Sequence, residues 1–487
     1  MISKVDQKPL LLRKTLSVVE DPTIKLSLGY SVMDGVMWSM MFGLAENYIT
    51  PFVLFFGASI FEVSLLQGLT QLAIGGGQLV GGTLSLKLAN RKSFMLKTVV
   101  VQALSWIVTY WGTVLTHSPL VGILLYCLGV VTANLSSPGW ISWMNDLIPV
   151  NLRGVYWSQR NLVQGTVQFL AISIAGFSLF QAHTRGWDEQ IYGVLFFLAF
   201  LFRMGSTFFL YRSHEPQLQK SDAAKALSFL KFLKTLPGTN FGSFVLFITL
   251  INFTLAMTNP TIQVYLLEKL KFNYLQYTAI TMIATIANFV FMTYWGPLSD
   301  QFGNRLILIV GATLLPLVAV GWLLLTNFWA LLALQLLSGF LTSALGLSTN
   351  NYIFDSIPSE RIPKVMGYFN ALNTLFAFGG AIFSGILGQF ILDSGWHLGF
   401  LGPFLMVFLV AAILRFLIIA IFARRFQEVR PAEPSPGLHY FYFYKPFQDA
   451  MLLIGSTAGV LVQGVRALNP RTLHRRWRQT RVRRNGK

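Results

Sequence analysis

The sequence predicts an all-α membrane protein with about twelve transmembrane helices, arranged as two six-helix, pseudo-symmetric bundles. Three observations predict it. Of the 487 residues, 54% are apolar and only 11% are charged, where soluble chains carry roughly 25% charged residues. The mean hydropathy of +0.58 points the same way. The apolar residues form about a dozen long, continuous runs, and two short loop sequences recur in the same order in the two halves of the chain.

A bilayer core about 30 Å thick takes roughly 20 apolar residues as a helix, and lipid offers no partner to unpaired backbone groups. The runs fall at 30–57, 62–86, 94–116, 119–145, 155–181, 190–211, 241–267, 274–299, 305–326, 328–354, 364–392 and 398–423. Membrane β-barrels are built from segments of about ten alternating residues, and these runs neither alternate nor stop so soon. A single cysteine, Cys127, excludes an internal disulfide and a thiolate metal cluster. The six histidines show no ligand spacing. No soluble catalytic domain interrupts the runs, so neither an enzyme nor a cofactor is expected.

Charge sets the expected orientation. Lys and Arg collect before the first run (Lys4, Lys8, Arg13, Lys14, Lys25), after the second (Lys87, Arg91, Lys92, Lys97), between the sixth and seventh (Arg212, Lys220, Lys225, Lys231, Lys234) and after the last. The alternate loops hold only Arg185, Lys269 and Lys271. Basic loops stay in the cytoplasm, so both termini belong there, as an even number of spans requires. The expected organisation is a cytoplasmic tail (1–29), a six-helix bundle (30–211), a cytoplasmic linker with a short amphipathic helix (212–240), a second bundle (241–423) and a basic tail (424–487). The N-terminus lacks the continuous apolar core of a signal peptide. A multi-pass protein of the cell (inner or plasma) membrane is expected.

The halves repeat. Gly82, Leu84, Ser85, Asn90 and Arg91 after the second run match Gly296, Leu298, Ser299, Asn304 and Arg305 after the eighth at identical spacing. Asp146-Leu-Ile-Pro149 after the fourth run matches Asp355-Ser-Ile-Pro358 after the tenth. A parallel repeat of two six-helix halves is one of the known plans of secondary transporters. The loop Gly296-Pro-Leu298-Ser-Asp300-Gln-Phe-Gly303-Asn-Arg305 resembles the signature between helices 8 and 9 of the major facilitator superfamily. The resemblance implies two bundles that rock about a central solute site lined by helices 1, 4, 7 and 10. It also implies a conformational latch made of Gly82, Arg91, Gly296, Asp300, Gly303 and Arg305. Gly296 would allow close helix packing and Gly303 a tight turn. Asp300 would bond the free N–H groups at the start of helix 5, near Gly154-Val-Tyr156, and hold the cytoplasmic side shut. The first copy has Leu86 for the acid and Ala89 for the second glycine, so the latch would be one-sided.

Ionisable groups inside a span mark a cavity or a partner. Asp34 and Glu46 lie on the first run, Arg160 on the fifth, Arg203 on the sixth and Arg415 on the twelfth. Asp34 reads as near the cytoplasmic end, and Arg203 and Arg415 as able to snorkel toward it. Glu46, followed by Asn47, is the deepest acid. It can take up a proton, bind a cationic solute, or simply join helices. Trp157, Asn161, Gln164 and Gln168 form a stripe beside Arg160. Arg160 can pair with Asp146 or Asp34, or bind an anionic solute. Asn134, Asn259, Gln263, Asn350 and Asn373 are amide candidates for the solute site, and amides also act as glue between helices. Trp140 and Trp143 can stack on a solute, but indoles at that depth more often mark the interface. The Gly75–Gly77 and Gly81–Gly82 runs read as packing surface; no Lys-Ser/Thr follows them, which excludes a phosphate loop.

The tail carries Arg471, Arg475, Arg476, Arg478, Arg481, Arg483 and Arg484, much of the +18 net charge. The weakly apolar segment 450–465 before them reads as interfacial, with the basic end on anionic lipid. Expected partners are a small-molecule solute, a coupling ion (the proton) and membrane lipid; no nucleic acid and no oligomer are required. The expected function is secondary transport of a sugar-like or small polar metabolite. Proton-coupled export of amphipathic compounds and a non-transporting receptor or assembly protein on the same fold are the alternatives.

Overall fold

A computed structural model describes residue 19 and residues 21–87, 91–149, 152–216, 229–358, 361–395 and 402–430. All of these belong to one compact unit, Met1–Pro431. The basic tail, its 450–465 segment and most of the first 20 residues lie outside the described residues.

The described chain is helical, and its helices are α1 (Pro22–Leu44), α2 (Ile49–Phe55), α3 (Ile60–Lys87), α4 (Arg91–Thr116), α5 (Pro119–Leu147), α6 (Arg153–His183), α7 (Asp188–Arg212), α8 (Phe229–Thr235), α9 (Asn240–Val264), α10 (Tyr274–Phe302), α11 (Asn304–Thr313), α12 (Leu315–Leu324), α13 (Phe328–Ser356), α14 (Ile362–Ser394) and α15 (Pro403–Phe422). Ten crossings are long and apolar enough to span a membrane on composition alone. The chain is an integral, multi-pass membrane protein. The first crossing, α1 with α2, and the second, α3, complete two sets of six. They fall short in apolarity because they carry Asp34, Glu46 and Glu62, with Gln67, Gln71 and Gln78 besides.

Local sequence explains the ends and the breaks. Asp21 caps α1 by accepting from the Thr23 and Ile24 amides at 2.7 and 3.4 Å, with Pro22 in the first turn. Ser59 and Glu62 form a reciprocal capping box on α3, as Asn273 and Gln276 do on α10. The first crossing begins at Pro22, eight residues before the apolar run, because that cap starts the helix early. It then breaks: Ala45 leaves helical geometry and Glu46–Tyr48 form a 3₁₀ turn. Pro51 accounts for the break, since its ring clashes with the carbonyl four residues back and offers it no N–H. Pro316 likewise separates α11 from α12.

The two halves pack alike. Crossing 1 lies against 5 and 6, 2 against 4, and 3 against 4 and 6; crossing 7 lies against 11 and 12, 8 against 10, and 9 against 10 and 12. The repeat runs further than the two loops. Spacings of 213 residues relate Ser27 to Asn240, His214 to Gln427 and Glu215 to Glu428. The Ser27 hydroxyl accepts from the His214 amide and the Asn240 side chain from the Gln427 amide. Glu215 accepts from the Lys92 amide and Glu428 from the Arg305 amide, each at the start of the third crossing of its half. Trp143 donates to the His214 carbonyl and Tyr352 to that of Gln427. Each half is thus clasped at one end, here termed the linker side, by the residues that follow its sixth crossing. In the linker, α8 packs Phe229 and Phe232 on Tyr368; residues 217–228 lie outside the described set.

Between the halves, crossing 2 packs on 11 and crossing 5 on 8. Small residues permit it. A Cβ on Gly385 would meet the Ser64 Cβ at 2.6 Å, one on Gly75 would collide with Thr374, and one on Gly176 would meet Thr278 Oγ1 at 2.5 Å. Tyr48 donates across the interface to Thr278 or accepts from it at 2.9 Å, and Tyr192 donates to Tyr274 at 3.1 Å. Both bonds lie on the side away from the linker.

Candidate functional site

The first half encloses a cavity of about 450 Å³ between crossings 1 to 6, within the usual range of small-molecule sites, about 300–1,000 Å³. Two carboxylates (Asp34, Glu46) and two guanidiniums (Arg160, Arg203) line it, with amides Gln102, Asn134 and Gln164 and the rings of Trp38, Phe42 and Trp140.

The charges are tied together. Asp34 sits mid-helix, twelve residues beyond Pro22, or about 18 Å at 1.5 Å per residue. That is deeper than the apolar run indicates. It is buried, and its Oδ1 accepts from Ser206 Oγ at 2.6 Å. Ser206 Oγ in turn accepts from Arg203 Nη1 at 2.9 Å, and Arg203 Nε donates to Gln102 Oε1 at 2.8 Å. The second Asp34 oxygen faces Arg160 Nη2 at 3.5 Å. Arg160 Nη1 donates to Gln164 Oε1 at 2.7 Å and Nε to the Ser31 carbonyl at 3.2 Å. The guanidinium lies over Trp140, 4.6 Å from the ring centroid, and 5.6 Å from that of Trp157, a geometry that attracts a cation to the ring face.

Gly35 makes this approach possible: a Cβ there would stand 2.9 Å from Arg160 Nη2 and 2.8 Å from Gln164 Nε2. Glu46 lies farther along the same crossing, at the helix break, and accepts from Tyr126 Oη at 3.0 Å. Asn134 donates to the Val130 carbonyl and accepts from Gln78 at 3.4 Å. Pro138, one turn on, withholds the N–H that would bond the Asn134 carbonyl.

Of the residues singled out from sequence, Asp34, Glu46, Asn134, Arg160 and Gln164 come together in this cavity. Asn47 donates to the Phe42 carbonyl; Gln263 accepts from Tyr277 and Asn373 from Asn252. Asn259 and Asn350 are exposed. The cavity walls come from the first half alone, whereas crossings 7 and 10 were expected to share them. Arg203 and Arg415 do not snorkel, because each finds partners inward. Arg415 donates to the carbonyls of Leu315 and Thr254 and to the hydroxyls of Thr254 and Thr258. Trp143 is wholly buried and Trp140 faces the cavity, so neither sits at the interface. Gln102, Arg203 and Ser206 were not chosen as site residues, although Arg203 stood out as an intramembrane charge.

The loop residues fall into two linker-side clusters. Arg91, buried, donates to Asp146 at 2.8 Å and to Ser142 at 3.0 Å. Arg305 donates to the carbonyls of Phe426 and Ala423 at the end of the last crossing. Asn304 bonds Ser299 and, at 2.6 Å, Asp355. Asp300, three-quarters exposed, holds Arg430 at 3.2 Å; among the described residues the start of crossing 5 is not a partner in this conformation. Gly303 turns the chain with φ +87°, which an L side chain rarely adopts. Gly82 and Gly296 face open space within 4 Å rather than a neighbouring helix.

Residues 242–469 match the profile of the Major Facilitator Superfamily. No curated protein matches the chain in a sequence search. Among solved structures, the fold is similar to that of the nucleoside transporter NupG, with a TM-score of 0.61 at 12% identity over 83% of this chain and 99% of that one. It is similar to a bacterial homolog of the human lysosomal transporter Spinster in an inward-facing, occupied conformation (0.63, 12%, 86% and 100%). It is also similar to a D-xylose–proton symporter (0.59, 16%, 84% and 99%). At these identities the likeness concerns the fold.

The Ser206 hydroxyl joins the charges of Asp34 and Arg203, and its loss leaves both groups a bond short. Ser206→Ala is expected to destabilise the protein by about 1–3 kcal/mol in denaturation of the detergent-solubilised chain. An unchanged midpoint would show that the hydroxyl is not part of the network.

Proposed function

The chain belongs to the major facilitator superfamily, and on that premise we propose that it is a secondary transporter carrying a small polar solute by alternating access, coupled to protons at Glu46. The observation that carries this reading is the cavity of the first half, with four ionisable side chains in its walls. Charges held within the membrane are costly, and a purely structural bundle has no use for four of them around an empty volume.

The two acids are suited to different tasks. Asp34 has two guanidiniums to compensate it. Glu46 is bonded by a neutral phenol and sits at a break in the helix, where transporters place ion and solute groups. Its charge is the one whose removal by a proton breaks no ion pair. Solute and proton would share one cavity, and the protonation state of Glu46 would bias which arrangement of the halves is stable.

Movement of the halves is supported by the repeat. The contacts of crossings 2 with 11 and 5 with 8 are related by the same pseudo-symmetry, so loss of one set on one side can be matched by gain of another on the opposite side. Asp300 is exposed in this conformation and available to close on helix 5 in the other. The basic loops support a cytoplasmic position for the linker side, in a cell membrane.

In liposomes with an internal pH dye, the wild-type protein is expected to give a solute-dependent proton flux with a member of a panel of sugars, amino acids, organic anions and cationic drugs. Glu46→Gln is expected to abolish that flux while retaining solute binding; flux kept in the mutant would move the coupling elsewhere. Asp300→Asn is expected to slow transport several-fold with binding unchanged, and a wild-type rate would remove the latch.

A further inference from the structure

Counting charge at each end of the cavity narrows the solute. At the end nearer the linker stand one carboxylate and two guanidiniums. Asp34 Oδ1 is committed to Ser206 and, through that hydroxyl, to Arg203. Its other oxygen reaches Arg160 only at 3.5 Å. The closer bonds of Arg160 go to neutral acceptors, the Gln164 side chain and the Ser31 carbonyl. Glu46 bonds Tyr126 and acts on Arg203, whereas Asp34 is the carboxylate that faces Arg160. Glu46 is the second carboxylate of the cavity, so one negative charge serves two cations once Glu46 has taken up its proton. In that state Arg160, buried against the face of Trp140 and joined to Asp34 only by its longest contact, is the cation left with an incomplete partner.

We infer that the solute is an organic monoanion, a carboxylate on an apolar or aromatic body, held by Arg160 against Trp140. The inference rests on the proposal that this cavity is the solute site. A guanidinium presents paired N–H groups that match the two oxygens of a carboxylate, and such bonds are among the strongest that a protein makes. A single negative charge completes the count; a dianion would overshoot it. Trp140 already stacks on the guanidinium, and Trp38 and Phe42 line the same cavity, so the body of the solute meets aromatic walls. Arg160 rather than Arg203 is the anchor because it is the guanidinium that lies on the aromatic wall, and its 3.5 Å contact with Asp34 leaves room for a second, closer carboxylate. With a proton on Glu46, the carboxylate would cross as a neutral load.

The test uses the purified full-length protein in detergent. Its melting temperature is followed with acetate, benzoate and indole-3-acetate, with the carboxamide of each, and with benzylamine and inorganic phosphate. At least one aromatic carboxylate is expected to stabilise the wild type saturably, with its carboxamide and benzylamine inactive and phosphate weaker. Arg160→Lys, which keeps the charge and loses the fork, is expected to melt cooperatively and to bind the carboxylate roughly ten- to a hundredfold more weakly. Equal stabilisation by carboxylate and carboxamide, stronger stabilisation by phosphate, or no stabilisation by any carboxylate would each overturn the inference. So would undiminished binding in Arg160→Lys. If that variant does not fold, the wild-type comparison of acid with amide decides alone. Carboxylate binding without any solute-driven flux in liposomes would keep the anion site and remove the transport reading. Flux of neutral solutes without carboxylate binding would do the reverse.

Discussion

The negative charge of Asp34 lies between two buried guanidiniums, and much of the first half is arranged to keep those three groups satisfied away from water. An unpaired charge in such surroundings costs several kcal/mol, and polar groups are oriented toward all three. Ser206 bridges, Gln102 and Gln164 accept, the Ser31 carbonyl turns inward and Trp140 covers the Arg160 plane. Gly35 is small enough to let the cluster close. Remove the carboxylate and the two guanidiniums keep their neutral acceptors but lose the one negative charge between them.

The second half shows what the same scaffold does without that charge. Arg415 occupies on crossing 12 the place that Arg203 occupies on crossing 6, yet Phe247 stands where the repeat would put Asp34. Arg415 turns instead to the Thr254 and Leu315 carbonyls and to the Thr254 and Thr258 hydroxyls, and no carboxylate is among its partners in the described residues. The linker-side clasps, by contrast, are retained in both halves: Glu215 with Glu428, Ser27 with Asn240, Trp143 with Tyr352. The halves have kept their joints in common and differ in their chemistry, with ionisable cavity groups concentrated in the first.

How much of this the sequence discloses depends on the kind of signal. Runs of apolar residues set by bilayer thickness locate the crossings, and the matched loops reveal the repeat. Charges are equally legible, because few reasons exist to place one in lipid: Asp34, Glu46 and Arg160 stand out and do meet in one cavity. Amides are not. Asn134 and Gln164 line the cavity while Asn259, Gln263, Asn350 and Asn373 do not, and nothing in their spacing separates the two groups, since a helix that is apolar all round has no polar face to read. Two features were legible but easily passed over. Asp21-Pro22 is a helix start, which moves Asp34 deeper, and Pro51 foretells a break near Glu46. The Arg212-x-x-Glu215 and Arg425-x-x-Glu428 repeat rests on two identities, too few to notice before the bonds of both glutamates are seen.

The central claim is that the solute binds in the first half, at the Asp34–Arg160–Arg203 cluster, and it can be tested by position. The lone cysteine can be replaced (Cys127→Ser) and a new one introduced either in the cavity wall (Ser137→Cys) or on crossing 10 (Asn350→Cys). The rate of modification by a charged thiol reagent is then measured with and without a transported solute. Protection at 137 with none at 350 is the predicted result. Protection at 350 alone would place the solute against the second half and contradict the account.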